Sequence, residues 1–299
     1  IMQKYTKSIA VIGAGIAGVT AAYELARKGF LVTVFEKHRY PAMATSHANG
    51  SQLSVCNSQT WTTWPMIKKG LHDTFHSAAP FKLSLNPFDL EKLKWLARFC
   101  ANAFHGTSVK NTQDTIRMAL ASRIATLETA EREGIQFDHV SKGILHIYTN
   151  ARTFRAAFDV EKLMTSSGCE WEIIDCNYCR RIEPALVGNT QLIGGVYTKS
   201  DSTGDMHLFV KQLAVICADR YGVEFKFGNM VEKINPSRFG VYVDETHFDA
   251  CVIAAGCETQ HWSRQFGDRL GIYPVKGYSI TIDLTDADSQ KAAPWASLL

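Results

Sequence analysis

Residues 8–12 (SIAVI) form a continuous apolar, β-branched run, the pattern of a strand buried on both faces of a parallel sheet. Glycines follow at once. Residues 16–28 then carry apolar and polar positions at helical spacing up to Gly29, a residue suited to ending a helix. A second apolar run, 31–35 (LVTVF), predicts a second parallel strand with Glu36 at its carboxyl end. The start of the chain is therefore strand, tight turn, helix and strand.

Farther along, 89–105 places Leu93, Leu96, Phe99, Cys100 and Phe104 at helical spacing, and 110–133 continues as a long helix with Ile116, Leu120, Ile124 and Leu127 on one stripe. These helices are expected to cover a second domain whose antiparallel sheet comes from strands at 143–149, 195–198 and, last, 271–283. A helix at 205–221, short strands at 223–227, 231–234 and 240–243, and the run 247–256 (HFDACVIAAG) return the chain to the first domain. The predicted fold class is α/β, with a Rossmann-like nucleotide domain interleaved with an α+β domain on a mainly antiparallel sheet.

The chain has 299 residues, 46% hydrophobic and 20% charged, enough for a sizeable core. Its 32 basic and 29 acidic residues leave a formal charge of +3 without any dense Lys/Arg run, which argues against a nucleic-acid partner. No apolar stretch approaches the roughly 20 residues of a membrane span, and no signal peptide is visible. The eight cysteines are scattered and are read as reduced thiols in a cytoplasmic protein. Cys176 and Cys179 form a C-x-x-C without a second pair at zinc spacing, and His72 and His76 share a helical face without a third ligand, so no metal site is assigned.

Gly13, Gly15 and Gly18 make G-x-G-x-x-G between the first strand and the helix, and Glu36 follows 18 residues after the last of them. Each part has a mechanical reason: Gly13 permits the turn, Gly15 lets backbone approach a pyrophosphate, and Gly18 lets helix and strand pack closely. The phosphates would sit on the helix N-terminus, at Ile16 and Ala17. A carboxylate at 36 suits two ribose hydroxyls and disfavours a 2′-phosphate. FAD and NAD both satisfy this pattern. The polar stretch 45–54 (TSHANGSQLS), rich in donors, and the small residues Ala254, Ala255 and Gly256 offer a second region for a longer cofactor, and the strand-and-meander layout after 205–221 favours FAD.

With these segments in view, the sequence resembles the glycine oxidase and D-amino-acid dehydrogenase group of flavoproteins, particularly the bacterial D-amino-acid dehydrogenase small subunit. The resemblance runs through IAVIGAGIAGVTAAYELARKGFLVTVFEK, ANGSQLS at 48–54, R-R-x-E-P-A-L at 180–186, D-x-T-G-D-M-H-L-F at 201–209, VIAAG at 252–256 and P-V-K-G-Y-S-I-T at 274–281. It implies FAD on Gly13, Gly15, Ile16, Ala17, Gly18, Glu36 and Lys37, and a loop along the flavin containing Thr45, Ser46, Asn49, Gly50 and Gln52. Val231 matches a residue whose backbone faces the adenine, and Ala254, Ala255 and Gly256 complete the cofactor set. Tyr273, Lys276 and Tyr278 are expected on the substrate side. His47 stands where such dehydrogenases usually carry Arg, and Met206 where Pro is usual.

The resemblance further implies oxidative deamination of a D-amino acid, with hydride passing from its Cα to flavin N5 and electrons going on to a quinone or other acceptor. No catalytic triad is needed, because the redox chemistry belongs to the cofactor. The rival readings are an oxygen-using glycine, sarcosine or L-amino-acid oxidase, and a non-catalytic flavin-binding partner. Trp61, Trp64 and Trp95 read either as core aromatics or as a peripheral patch against the inner face of the cell membrane. The expected domains are 1–85 with 203–261 for FAD, and 86–202 with 262–299 for substrate. The family's further substrate strands, carboxylate-binding Arg and second glycine turn are not seen before Leu299, so the chain is expected to be a truncated form that binds FAD weakly and has little or no dehydrogenase activity by itself.

Overall fold

A computed structural model describes residues 6–74, 89–278, 280 and 282–299. They form two compact units: the first is drawn from 1–51, 128–138 and 205–279, the second from 52–127, 139–204 and 280–299.

The first unit is built on a four-stranded parallel sheet in the order Ala250–Ile253, Ser8–Ile12, Leu31–Glu36, Glu224–Phe227. Its register sets Ile12 beside both Phe35 and Ile253, so three strand ends meet where the glycines begin. The helix Ile16–Arg27 crosses between the first two strands and buries Gly18, Val19, Ala22 and Tyr23. Helix Met206–Tyr221 buries Phe209, Val210, Leu213, Ala214 and Cys217, starts on an Asp205 side-chain cap and ends on left-handed Gly222. Each fully buried aliphatic or aromatic side chain contributes about 1.5–3 kcal/mol relative to exposure. Thr246–Phe248, Gly240–Val243 and Ile234–Ser237 form a separate antiparallel meander. Its inward Val241, Val243 and Phe248 join Ala10, Ile12 and Phe35 in one core.

Three helices of this unit are tied together by Glu133. Its carboxylate accepts from the Tyr23 hydroxyl at 2.5 Å, the Tyr221 hydroxyl at 2.7 Å and Arg220 at 3.1 Å.

The second unit carries a sheet in the order Ser297–Leu298, Ile144–Tyr148, Gly194–Thr198, Glu172–Asp175, in which the first pair is parallel and the others antiparallel. Buried Asp201 organises the chain entering it: one carboxylate oxygen accepts from the Val55 and Cys56 N–H groups at 2.8 and 2.9 Å, the other from Arg123 at 2.7 Å. Glu183 likewise holds the N–H groups of Trp295 and Ala296 at 2.7 and 2.8 Å.

Several expectations need correction. The strand expected at 271–283 is not formed among the described residues there. Pro274 lacks a donor, Gly271 and Gly277 weaken extended structure, and Val275, Tyr278, Ile280 and Ile282 are exposed. Ser297–Leu298 takes the place beside Ile144–Tyr148 instead. The short strand expected at 231–234 begins only at Ile234, leaving Val231 buried in the preceding loop. Helix Leu90–Phe104 has no buried residue, and Ile124 of helix Ser108–Glu133 is exposed although Ile116 is fully buried. The compact units divide at 51 rather than 85, with 262–278 lying in the first. Trp61 and Trp64 are exposed, while Trp95 is half-buried and stacks on Phe99. His76 lies outside the described residues.

Candidate functional site

The site begins at the carboxyl ends of the parallel strands. Gly13 has φ of +101°, and a Cβ there would stand 2.6 Å from the Ala254 carbonyl oxygen. Gly18 is still tighter, with a Cβ falling 1.8 Å from the Gly13 oxygen. Both are glycine for the protein's own packing. Gly15 differs: its φ of −74° suits any residue, and a Cβ would meet only Ser46 Oγ at an ordinary 3.4 Å. Nothing in the chain itself demands glycine at this position. Backbone left bare at a helix start suits a close-approaching anion.

Glu36 ends the second strand and is buried, yet its carboxylate is fixed by backbone. Oε2 accepts from Ala14 N–H at 2.7 Å and Oε1 from His38 N–H at 2.9 Å. Each oxygen keeps acceptor capacity for a hydroxyl donor. Neighbouring Lys37 is paired with Glu258, just beyond Gly256.

Ser46 comes from the following loop to the helix start, where its hydroxyl accepts from Ile16 N–H at 3.0 Å. Asn49 braces the same loop, donating to the Ser46 carbonyl at 3.2 Å and accepting from Ser51 N–H at 2.8 Å. Ala254 N–H bonds the Ile12 carbonyl at 2.8 Å, and Ala255 and half-buried neighbours lead to Gly256 at φ of +58°. Val231 packs in the core that contains Phe35 and touches Ala255. The fold thus brings together Gly13, Gly15, Ile16, Gly18, Glu36, Ser46 and Ala254. Thr45 and Gly50 lie exposed on the loop.

Other candidates have partners of their own. Gln52 belongs to the second unit, pairing with Thr203 in a short ladder and donating to Ser297 at 2.7 Å. Lys276 lies 5.0 Å over the exposed Tyr278 ring, and Tyr273 is half-buried. Sequence reasoning missed the grip on the loop itself: Ala42 N–H bonds the Ala14 carbonyl at 2.9 Å, and His207 Nδ1 lies 3.2 Å from the Ala42 carbonyl. Ala42 is a buried non-glycine residue at φ of +59°, which no local pattern reveals.

Burial disfavours the thiolate form of the second unit's buried cysteines. His146 Nε2 stands 3.4 Å from Cys56 Sγ, but burial pushes the imidazole pKa down and the thiol far up, with Asp201 adding to the latter. Both shifts favour the neutral forms, the reverse of what a thiolate–imidazolium pair requires. Cys179 packs beside Gly195 and is pushed up to about 11 by burial. Among the described residues, no group of three or more His, Cys, Asp or Glu is placed to hold a metal, and no helix is long and apolar enough to cross a membrane.

Residues 8–298 match the model of the family described as FAD dependent oxidoreductase. The chain belongs to this family. It is 41% identical over 298 residues to D-amino acid dehydrogenase 3 of Mesorhizobium japonicum, covering 97% of this chain and 71% of that protein. It is 36% identical over 301 residues to D-amino acid dehydrogenase of Dechloromonas aromatica, again covering 97% and 71%. Among solved structures, glycine oxidase from Geobacillus kaustophilus superposes with a TM-score of 0.58 at 20% identity, covering 88% of this chain and 59% of that one. That likeness supports the α/β fold with mixed sheets.

Proposed function

We propose that the protein serves FAD-dependent oxidative deamination of D-amino acids to 2-oxo acids and ammonia, with electrons passed to a quinone or another acceptor. The observation that carries the cofactor reading is Gly15, a glycine whose backbone and surroundings would accept a side chain, placed at a helix start beside a buried acid. In this reading the first unit is the Rossmann-like FAD-binding part. Gly13 to Gly18 and Ser46 hold the pyrophosphate, and Glu36 takes the ribose hydroxyls through its free lone pairs. Lys37, Thr45, Asn49, Gly50, Val231, Ala255 and Gly256 complete the surroundings. When bound, FAD supplies a two-electron acceptor for the substrate Cα hydride. The substrate class rests on the names of the similar proteins.

The protein's own contribution is orientation and exclusion of water. Tyr273, Lys276 and Tyr278 are proposed for the substrate side, with Lys276 positioned to attract a carboxylate. The exposed Trp61 and Trp64 are proposed as a peripheral membrane contact. The reading is tested by adding D-alanine anaerobically to FAD-loaded protein and recording the flavin absorption. Bleaching on the anaerobic addition is expected, with little steady turnover by this chain alone. Persistent oxidised flavin with several D-amino acids, but bleaching with glycine, sarcosine or an L-amino acid, overturns the substrate class. Oxygen uptake by the reduced protein at a rate matching quinone reduction overturns the choice of acceptor.

A further inference from the structure

The loop carrying Ser46 begins in a conformation that its own sequence does not favour. Ala42 holds φ of +59°, the left-handed region, where a residue with a Cβ is strained. External bonds must therefore fix it. Its N–H is taken by the Ala14 carbonyl in the glycine turn, and its carbonyl faces His207 Nδ1 at 3.2 Å. With its proton on Nδ1, His207 donates to this carbonyl.

His207 is itself well anchored. It lies in the first turn of helix Met206–Tyr221, whose Asp205 cap accepts from Leu208 N–H at 2.9 Å. Asp205 N–H in turn bonds the Phe137 carbonyl at 2.7 Å. On the other side, the His47 ring meets His207 edge-on with centroids 4.5 Å apart. His207 thus meets both ends of the short segment 42–47, the Ala42 carbonyl and the His47 ring. Ser46, at the helix start with Ile16 N–H at 3.0 Å, is carried between them.

We infer that His207, supported by His47, is a positioning residue for the FAD pyrophosphate, acting through the Ala42 carbonyl on Ser46. It does not touch the cofactor. It fixes the loop so that the Ser46 hydroxyl stands at the helix N-terminus before the anion arrives, which lowers the ordering cost of binding. The inference rests on FAD occupying the glycine turn.

The test is a double-substitution cycle on FAD affinity, read by quenching of FAD fluorescence on titration into flavin-free protein. His207→Ala should weaken binding roughly tenfold, and Ser46→Ala by a similar factor. The double variant should be no weaker than Ser46→Ala alone, because one acts through the other. His207→Asn, whose amide nitrogen can replace Nδ1 as donor, should recover affinity to within about threefold of wild type. Multiplicative losses in the double variant, or no recovery with Asn, would overturn the inference. A second measurement does not depend on FAD: amide hydrogen exchange of Ala42 and His47 in the flavin-free protein should quicken in His207→Ala and not in Ser46→Ala. Unchanged exchange also overturns it. Failure of the wild-type protein to bind FAD overturns the cofactor reading instead, and the exchange measurement still decides whether His207 holds the loop.

Discussion

The Glu36 carboxylate accepts a 2.7 Å hydrogen bond from the backbone N–H of Ala14, so the acid that ends the second strand also closes the glycine turn, and it is the residue proposed to take the ribose. Its other oxygen accepts from His38 N–H, leaving two donors that require two acceptors.

This arrangement separates two substitutions. Glu36→Arg should leave the purified protein colourless, because the cofactor loses its ribose acceptor and meets a bulky cation. A fully yellow preparation would remove Glu36 from the site. Glu36→Gln presents an NH2 group to one of the two backbone donors, and should cost about 1–3 kcal/mol even without flavin. Urea unfolding of the flavin-free protein measures this, and unchanged stability would contradict the observed double acceptance.

The three glycines should respond differently to alanine. Gly18→Ala forces a Cβ into the Gly13 carbonyl, and the protein should melt far lower or fail to fold. Gly15→Ala should fold with a melting temperature near that of wild type while FAD affinity falls at least tenfold. Equal thermal damage from both would show that Gly15 serves packing and not a ligand.

Glu133 gives a pH dependence with a definite sign. Burial alone would raise its carboxyl pKa, but the Tyr23 and Tyr221 hydroxyls and Arg220 outweigh burial and hold it below the ordinary 4.5. The unfolded chain therefore takes up this proton first as pH falls. The stabilisation is complete above about pH 4.5 and is lost as pH drops through the lower folded value. Glu133→Gln should be less stable than wild type by about 1.5–3 kcal/mol at pH 7, and the gap should narrow below pH 4.5. Arg220 is largely exposed, so Arg220→Ala should cost under about 1 kcal/mol. Denaturant titrations at pH 7 and pH 3.5 compare the variants, and a gap that widens in acid would reverse the assignment.

Thiol labelling should divide the eight cysteines by burial. Burial pushes Cys169 and Cys217 up to about 12 and Cys251 to about 11, with charges near the first two adding to it. Exposed Cys257 should react first with a maleimide at pH 7.5, followed by half-buried Cys100 and Cys176 and then by half-buried Cys251, whose thiol burial raises. Cys56, Cys169, Cys179 and Cys217 should label only after unfolding. Peptide mass spectrometry reads this directly, and early modification of Cys179 would revive the C-x-x-C as a reactive pair.

The glycine turn and its flanking strands were legible because their signals are local: an unbroken β-branched run, glycines at fixed offsets, an acid at the next strand's end. The segment 271–283 misled for the opposite reason. Its alternation of apolar and polar residues reads as a strand, yet a strand needs a neighbour to pair with, and that neighbour cannot be read from the segment itself. The same limit hid the hold of His207 on Ala42, which spans 165 residues. Gln52 looked like its polar neighbours in the loop, but the chain turns into the second unit at that residue and its amide goes to Ser297.

The central strand Ser8–Ile12 has its two sheet partners at very different distances along the chain, Leu31–Glu36 immediately and Ala250–Ile253 only after some 240 residues, as the Ser8–Asp249 bond shows with its separation of 241. During synthesis at about 5–20 residues per second, the ribosome needs on the order of 10–50 s to deliver the second partner. Throughout that interval one edge of an apolar strand stands without its native neighbour, open to pairing with any other extended segment. The glycine turn after Ile12 is thus made some 240 residues before the strand that pairs with the open edge beside it.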